Sequence, residues 1–297
     1  VTTTAVLLID CPDRKGLVAA IANFLLAEFD ANIVNADQHQ DASLGLFFMR
    51  VEFQFESSES ESESASAVSG HCDAARFHAA FAPLASQINL NWRIRFQTAP
   101  LRVAIFVSNY LHCLADLLHR HQTGELPCTL ALIVSNHESA RPLAEFYGIP
   151  FHLTPVTTEN KAAVEAQHLD LLADNQIDLI VLARYMQILP ERFVQAYPLR
   201  IINVHHSFLP AFSGAKPYHA AFARGVKLIG ATSHYVTEEL DEGPIIEQDV
   251  TRVSQNDQLP DLIQKGRDLE RLVLSRAVRW HLADRILSYA NKTVIFS

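Results

Sequence analysis

Cysteine is scarce in this chain of 297 residues, and no two of its four cysteines stand close together. Cys11, Cys72, Cys113 and Cys128 make no C-x-x-C pair, which argues against a disulfide framework and a thiolate zinc site. Excess positive charge is also missing. A formal net charge of −9 leaves no basic patch to neutralise a phosphate backbone, so nucleic acid is not an expected partner. No apolar run approaches the roughly 20 residues that span a bilayer, so no membrane role is expected. The opening stretch VTTTAVLLIDCPDRKG lacks a basic segment followed by a long apolar core. A cytoplasmic protein is the expectation. What the chain does have is apolar material: 49% hydrophobic against 19% charged, enough for a sizeable core, over a length that predicts two domains.

The first hundred residues read as β-α-β-β-α-β. TAVLLID is a short β-type run, and Leu17, Ile21, Phe24, Leu25 and Phe29 then recur at helical spacing. NIVNADQHQ and LGLFFMRVEFQF read as two extended segments, the second alternating at Val51, Phe53 and Phe55. The Ser/Glu tract over 56–69 is too polar to pack and predicts a loop. A helix over Ala74–Ile88 and a strand over Asn89–Phe96 complete the unit. QTAP, ending at Pro100, reads as a linker, so the domains are expected at 1–97 and 98–297.

Beyond the linker, RVAIFVS, TLALIVS, IDLIVLA and LRIINV are nearly continuous apolar runs, as buried parallel strands require. Helical stretches around 110–121, 138–147 and 159–175 separate them, which predicts a doubly wound α/β domain. An amphipathic stretch from Leu259 to about Tyr289 closes the pattern. Ligands in such folds sit outside the C-terminal ends of the strands. Asn203, His205 and His206 fall at one of those ends. Adjacent residues of an extended chain point to opposite faces, so His205 and His206 are poorly placed to share a metal ion. No H-E-x-x-H motif or nearby cysteine pair adds a ligand, and no metal is expected. Asn203 and His205, two apart, share a face. An amide donor beside an imidazole suits a carbonyl substrate, stabilising an oxyanion and moving a proton. Asp241, before a Gly-Pro turn, is the best candidate for a carboxylate to hold the imidazole. Taken singly, Asn203 reads as well as a strand cap and Asp241 as a turn residue.

The stretch NVHHSFLPAFSGAKPYHAAFARGVKLIGATSHYVTEELDEGPIIEQ resembles the core of the folate-dependent formyltransferase superfamily, with its N-x-H-x-S-x-L-P and later H-x-V-T-x-x-L-D-x-G-P patterns. Within it, LARYMQIL, INVHHSFLPAF, GVKLIGATSHYVT and LDEGPIIEQDV are most similar to the 10-formyltetrahydrofolate deformylases. The resemblance covers the whole chain, because that family carries an N-terminal ACT domain of ferredoxin-like α+β fold before a formyltransferase-type α/β domain. It implies hydrolysis of 10-formyltetrahydrofolate to formate and tetrahydrofolate, serving one-carbon balance for purine synthesis, with folate as substrate and no cofactor. The family's catalytic triplet falls on Asn203, His205 and Asp241. The pterin-holding loop falls on Leu182–Leu189, with Arg184, Tyr185, Met186, Gln187, Ile188 and Leu189 acting largely through backbone groups. Val236, Thr237 and Leu240 form the other wall. Core packing is the competing reading for Tyr185 and Met186. His206, Ser207, Lys216 and His234 are of second rank: Lys216 reads as solvated, and His234 as packing beneath the pocket.

Transferases of this superfamily hold a phosphorylated acceptor with a glycine-rich turn after the first strand, where backbone N–H groups close around the anion. Here that stretch is VAIFVSNYLHCLADLLH, without a glycine, and Tyr110, Leu111 and His112 take the place of the turn. Water is therefore the expected nucleophile. Two alternatives stand beside this reading: a formyltransferase with a non-nucleotide acceptor, and an amino-acid-binding regulator with an inactive catalytic domain. The ACT resemblance implies a glycine or methionine effector at Asp13 and Gly16, with Asn32 and Asn35 opposite, and a homo-oligomer formed through sheet pairing. Asp13 reads equally as the cap of the first helix.

Overall fold

The computed structural model describes residues 2–56, 66–211 and 217–296, and only the backbone of 66–73. The chain divides into two compact units. One is Val1–Pro100 with Asp284–Tyr289 and Val294–Ser297, the other Leu101–Ala283 with Ala290–Thr293.

In the first unit, β1 (Thr2–Pro12), α1 (Leu17–Phe29), β2 (Asn32–Asp41), β3 (Leu46–Glu56), α2 (Ser66–Ile88) and β4 (Asn91–Phe96) follow in order. The strands form an antiparallel sheet in the order β2-β3-β1-β4, the ferredoxin-like arrangement. Alternation along β1 sends Leu7 and Ile9 into the main core and Leu8 to the opposite face. α1 buries Leu17, Ile21, Leu25 and Phe29, one stripe at four-residue spacing, against Phe53, Phe77 and Phe81. Its cap is not Asp13. Gly16 occupies the N-cap at φ 91, with no side-chain cap bond, while Asp13 accepts a hydrogen bond from Gln40 on β2. Nothing crowds a Cβ at Gly16, so its backbone angle alone calls for glycine. The Ser/Glu loop reading lies at 57–65 outside the described residues, and 66–69 belong to α2 rather than to a loop.

The second unit runs β5 (Arg102–Val107), α3 (His112–Gln122), β6 (Thr129–Ser135), α4 (Arg141–Phe146), β7 (Phe151–Leu153), α5 (Lys161–Asp174), β8 (Leu179–Ala183), α6 (Glu191–Ala196), β9 (Ile201–His205), α7 (Pro217–Arg224), β10 (Leu228–Tyr235), β11 (Ile245–Arg252) and α8 (Leu259–Leu282). The sheet order is β11-β10-β9-β8-β5-β6-β7. β7, β6, β5, β8 and β9 are parallel, as their apolar runs predict. β10 and β11 extend the sheet antiparallel, a part the apolar-run reading did not reach because polar residues interrupt both. The helix expected over 138–147 opens with a 3-10 turn at Glu138–Ala140 before α4. The closing amphipathic stretch is also shorter than expected, because α8 stops at Leu282. Left-handed residues at Asp284, Ala290 and Asn291 then turn the chain into the two-stranded ribbon β12 (Ile286–Tyr289) and β13 (Lys292–Ile295). Leu287, Val294 and Phe296 cover Leu8 and Phe48 on the first unit's sheet. Arg50 and Arg95 both bond to Asp284. Among the described residues, no helix is long and apolar enough to cross a membrane.

Candidate active site

β5, β8 and β9 end on one edge of the sheet, where open α/β folds bind ligands. Asn203 and His205 share a face of β9. Across the antiparallel pair, His234 stands opposite Asn203 and Thr232 opposite His205. Directly paired residues lie on the same face, so His234 joins the two β9 side chains. It does not merely pack beneath a pocket: its Nε2 is 3.2 Å from Asn203 Nδ2. Asp241 closes the group from the loop after β10, in the left-handed region at φ 59. Its Oδ2 lies 3.1 Å from His205 Nδ1, and its Oδ1 3.6 Å from His234 Nε2.

Partner chemistry fixes the protons. His234 Nδ1 is 2.8 Å from the Tyr235 carbonyl, which can only accept, so Nδ1 carries the hydrogen and Nε2 accepts from the Asn203 amide. One amide hydrogen of Asn203 is thus held, and the second remains for a ligand. The bond from His205 holds the Asp241 carboxyl well below the usual range against the opposing effect of burial. Ionised, Asp241 accepts the His205 Nδ1 hydrogen. The other nitrogen of that ring, Nε2, is buried without a protein partner. A buried acceptor left open beside a held amide adds nothing to stability and is free to take a hydrogen bond or a proton.

His205 and His206 do not part to opposite faces. Their rings stack at 5.0 Å with planes 19° apart, because β9 ends at His205 and His206 lies in the bend that follows. Behind His206 lies a second polar group. Arg184 Nη1 is 2.5 Å from His206 Nδ1, and Arg184 Nε is 3.4 Å from Glu270. Glu270, buried on α8, also receives His112 Nε2 and the Tyr218 hydroxyl, each at 2.7 Å. Burial would raise the Glu270 carboxyl, but the His112 bond, the Arg184 charge and the Tyr218 bond outweigh it and lower it. Tyr218 reaches Glu270 because α8 has no side chain at Gly266, where a Cβ would stand 2.1 Å from the tyrosine ring. His112, Cys113 and Glu270 bring ligand-type atoms within 4.8 Å of one another. Arg184 already meets Glu270, and burial raises the Cys113 thiol well above its usual value, so the trio does not suit a divalent cation.

Residues 101–278 match the formyl transferase family model. Over 294 residues the chain is 52% identical to a formyltetrahydrofolate deformylase of Synechocystis sp., covering 99% of each. The chain belongs to the formyltetrahydrofolate deformylase family. A crystal structure of a deformylase from Pseudomonas syringae pv. tomato superposes with a TM-score of 0.89 at 46% identity, covering 100% of this chain and 95% of that one. A glycinamide ribonucleotide transformylase from Symbiobacterium toebii matches less of it: TM-score 0.64 at 29% identity, 68% of this chain and 97% of the other. The deformylase likeness thus includes the first unit, and the transformylase likeness is partial.

Within this deformylase-family chain, the residues expected around a folate separate into two kinds. Arg184 has φ 65 and a buried side chain turned to His206 and Glu270. Tyr185 is buried with its ring 5.2 Å from Phe106, so its side chain is core. Leu189 and Val236 pack against the same cluster, which brings the two expected walls together. Met186, Ile188 and Leu240 are exposed, and Gln187 and Thr237 partly so. In the first unit, Asn35 receives Arg50 Nη1 at 3.1 Å, Asp13 is engaged by Gln40, and Asn32 is exposed. Ser207 is buried with an unpartnered hydroxyl, and Lys216 lies outside the described residues. Glu270, Tyr218 and the His112 contact escaped the sequence reading. Glu270 did carry a signal, as a lone acid on the α8 stripe of Leu262, Leu269, Val273 and Leu274.

Proposed function

We propose that this chain hydrolyses 10-formyltetrahydrofolate to formate and tetrahydrofolate, with Asn203, His205 and Asp241 at the reacting centre. The observation that carries the reading is the open His205 Nε2, set beside an Asn203 amide held by His234 and backed by Asp241. Asp241 Oδ1 holds a water. As its oxygen adds to the formyl carbon, its proton passes to His205 Nε2. The free Asn203 N–H stabilises the oxyanion, and Asp241 stabilises the imidazolium. The imidazolium then gives its proton to N10 as the C–N bond breaks. Collapse of the adduct releases tetrahydrofolate and formic acid, which passes its remaining proton to solvent and leaves as formate, so atoms and charge balance. Backbone groups of the Leu182–Leu189 loop and the Val236–Asp241 segment hold the pterin, a reading supported by their common packing cluster.

Water as nucleophile is supported by the crowding after β5. Tyr110 lies over Arg184 at 5.3 Å and Arg267 at 5.9 Å, and His112 is tied to Glu270, in a turn without glycine. A cytoplasmic role in one-carbon and purine metabolism, a homo-oligomer and a glycine or methionine effector on the first unit complete the proposal, and these rest on family resemblance. The deciding assay supplies 10-formyltetrahydrofolate without an acceptor and follows formate and tetrahydrofolate. Release of both supports hydrolysis. Release only after an amine is added means a transferase, and no reaction in either case means a regulator.

A further inference from the structure

Arg184 combines three features that rarely coincide: a buried guanidinium, a left-handed backbone at φ 65, and contact with the neighbour of a candidate catalytic imidazole. A non-glycine residue held there is strained, and a buried charge costs more still unless it is paired. The pairing is with Glu270, whose two oxygens are fixed by Tyr218 and His112 so that it cannot turn away. A guanidinium can only donate, so His206 Nδ1 must be the acceptor, which places that ring's hydrogen on Nε2. The same ring lies stacked on His205.

We propose that Arg184 is a positioning residue of the hydrolytic centre, acting through His206: it fixes His206 as a neutral Nε2–H ring against His205, so that the proton moving at the strand end is carried by His205 alone. This rests on His205 being the proton carrier. The groups facing His206 are Arg184 after β8, His205 on β9, Tyr218 on α7 with its ring 6.0 Å away, Glu270 on α8, and Asp241 after β10. His112 and Cys113 of α3 stand behind Glu270. Burial, then Arg184 and His205, push His206 down to about 4, against Glu270 and Asp241. Without the guanidinium, burial and His205 still oppose a charge on His206, but Glu270 and Asp241 then draw a proton onto the ring more readily. An imidazolium stacked on His205 would then repel the charge that His205 must acquire.

Nitrogen NMR of the histidine rings in the intact protein, assigned with His206→Gln, tests the clamp directly. The expected spectrum has His206 protonated at Nε2, bare at Nδ1 and neutral at pH 6. A hydrogen on Nδ1, or a charged ring at that pH, overturns the proposal. Arg184→Gly supplies the kinetic arm, because glycine accepts the left-handed backbone without strain. The acid limb of its kcat/KM profile should move up by about one pH unit, and added guanidinium ion should move it back. An equal loss at every pH, with no rescue, would make Arg184 structural and sink the idea. Full turnover in Asn203→Ala and Asp241→Asn would instead refute the catalytic assignment, while the ring spectrum still judges the clamp.

Discussion

The two units bury different things. In the first, the described buried residues are almost all apolar, with Thr3 and Arg50 the polar exceptions, and Phe29, Phe53, Phe77 and Phe81 packed ring against ring. In the second, Arg184, His205, His206, His234 and Glu270 are all buried around the ends of β8, β9 and β10 and the facing turn of α8. Burying polar groups costs free energy unless each is bonded, and a charged pair seldom adds net stability over an apolar one. The first interior is organised for cohesion. The second gives up cohesion at one strand end to hold donors and charges in place.

The largest test of that contrast is in the first unit. Phe77 lies 5.2 Å from both Phe29 and Phe81, and Phe77→Ala should cost about 3–5 kcal/mol in urea unfolding. A loss below about 1 kcal/mol would mean the aromatic cluster does not carry the unit. Next comes the strand end. Asn203→Ala should lower turnover about 10²–10³-fold, and Asp241→Asn by orders of magnitude, with folate binding little changed. Near-normal turnover in either would break the assignment. The last test is acid lability, which is the smallest effect at neutral pH. Burial pushes His168 and His206 from 6.5 to about 4. Below pH 6.5 the unfolded chain binds protons that the folded rings refuse, so stability falls from there towards pH 4 by up to about 3 kcal/mol per ring. Urea titrations over that range should show the loss, reduced in His168→Asn; a flat profile would mean these rings are not held neutral.

What could be read in the sequence followed from periodicity. The apolar runs placed the parallel strands, and N-x-H spacing put Asn203 and His205 on one face. His234 was out of reach because its role depends on antiparallel pairing with Asn203, a partner 31 positions away in sequence. The His205–His206 stack depends on where the strand stops, which alternation alone cannot supply. Asp13 satisfied the pattern of a helix cap, yet Gly16 took that position because the chain there turns through a positive φ. Tyr185 stood in a functional motif, but its ring was claimed by Phe106.

The ribbon after α8 bears on the order in which the protein can be made. The first hundred residues are made before the second unit, but the strip that covers Leu8 and Phe48 follows that unit in the chain. Until Phe296 is free of the exit tunnel, that sheet face has no lid and Arg50 and Arg95 have no Asp284. The first unit can therefore begin folding before the second unit is made, yet finish only after it. A gene cut at Pro100 would yield two fragments, each lacking something that the other encodes.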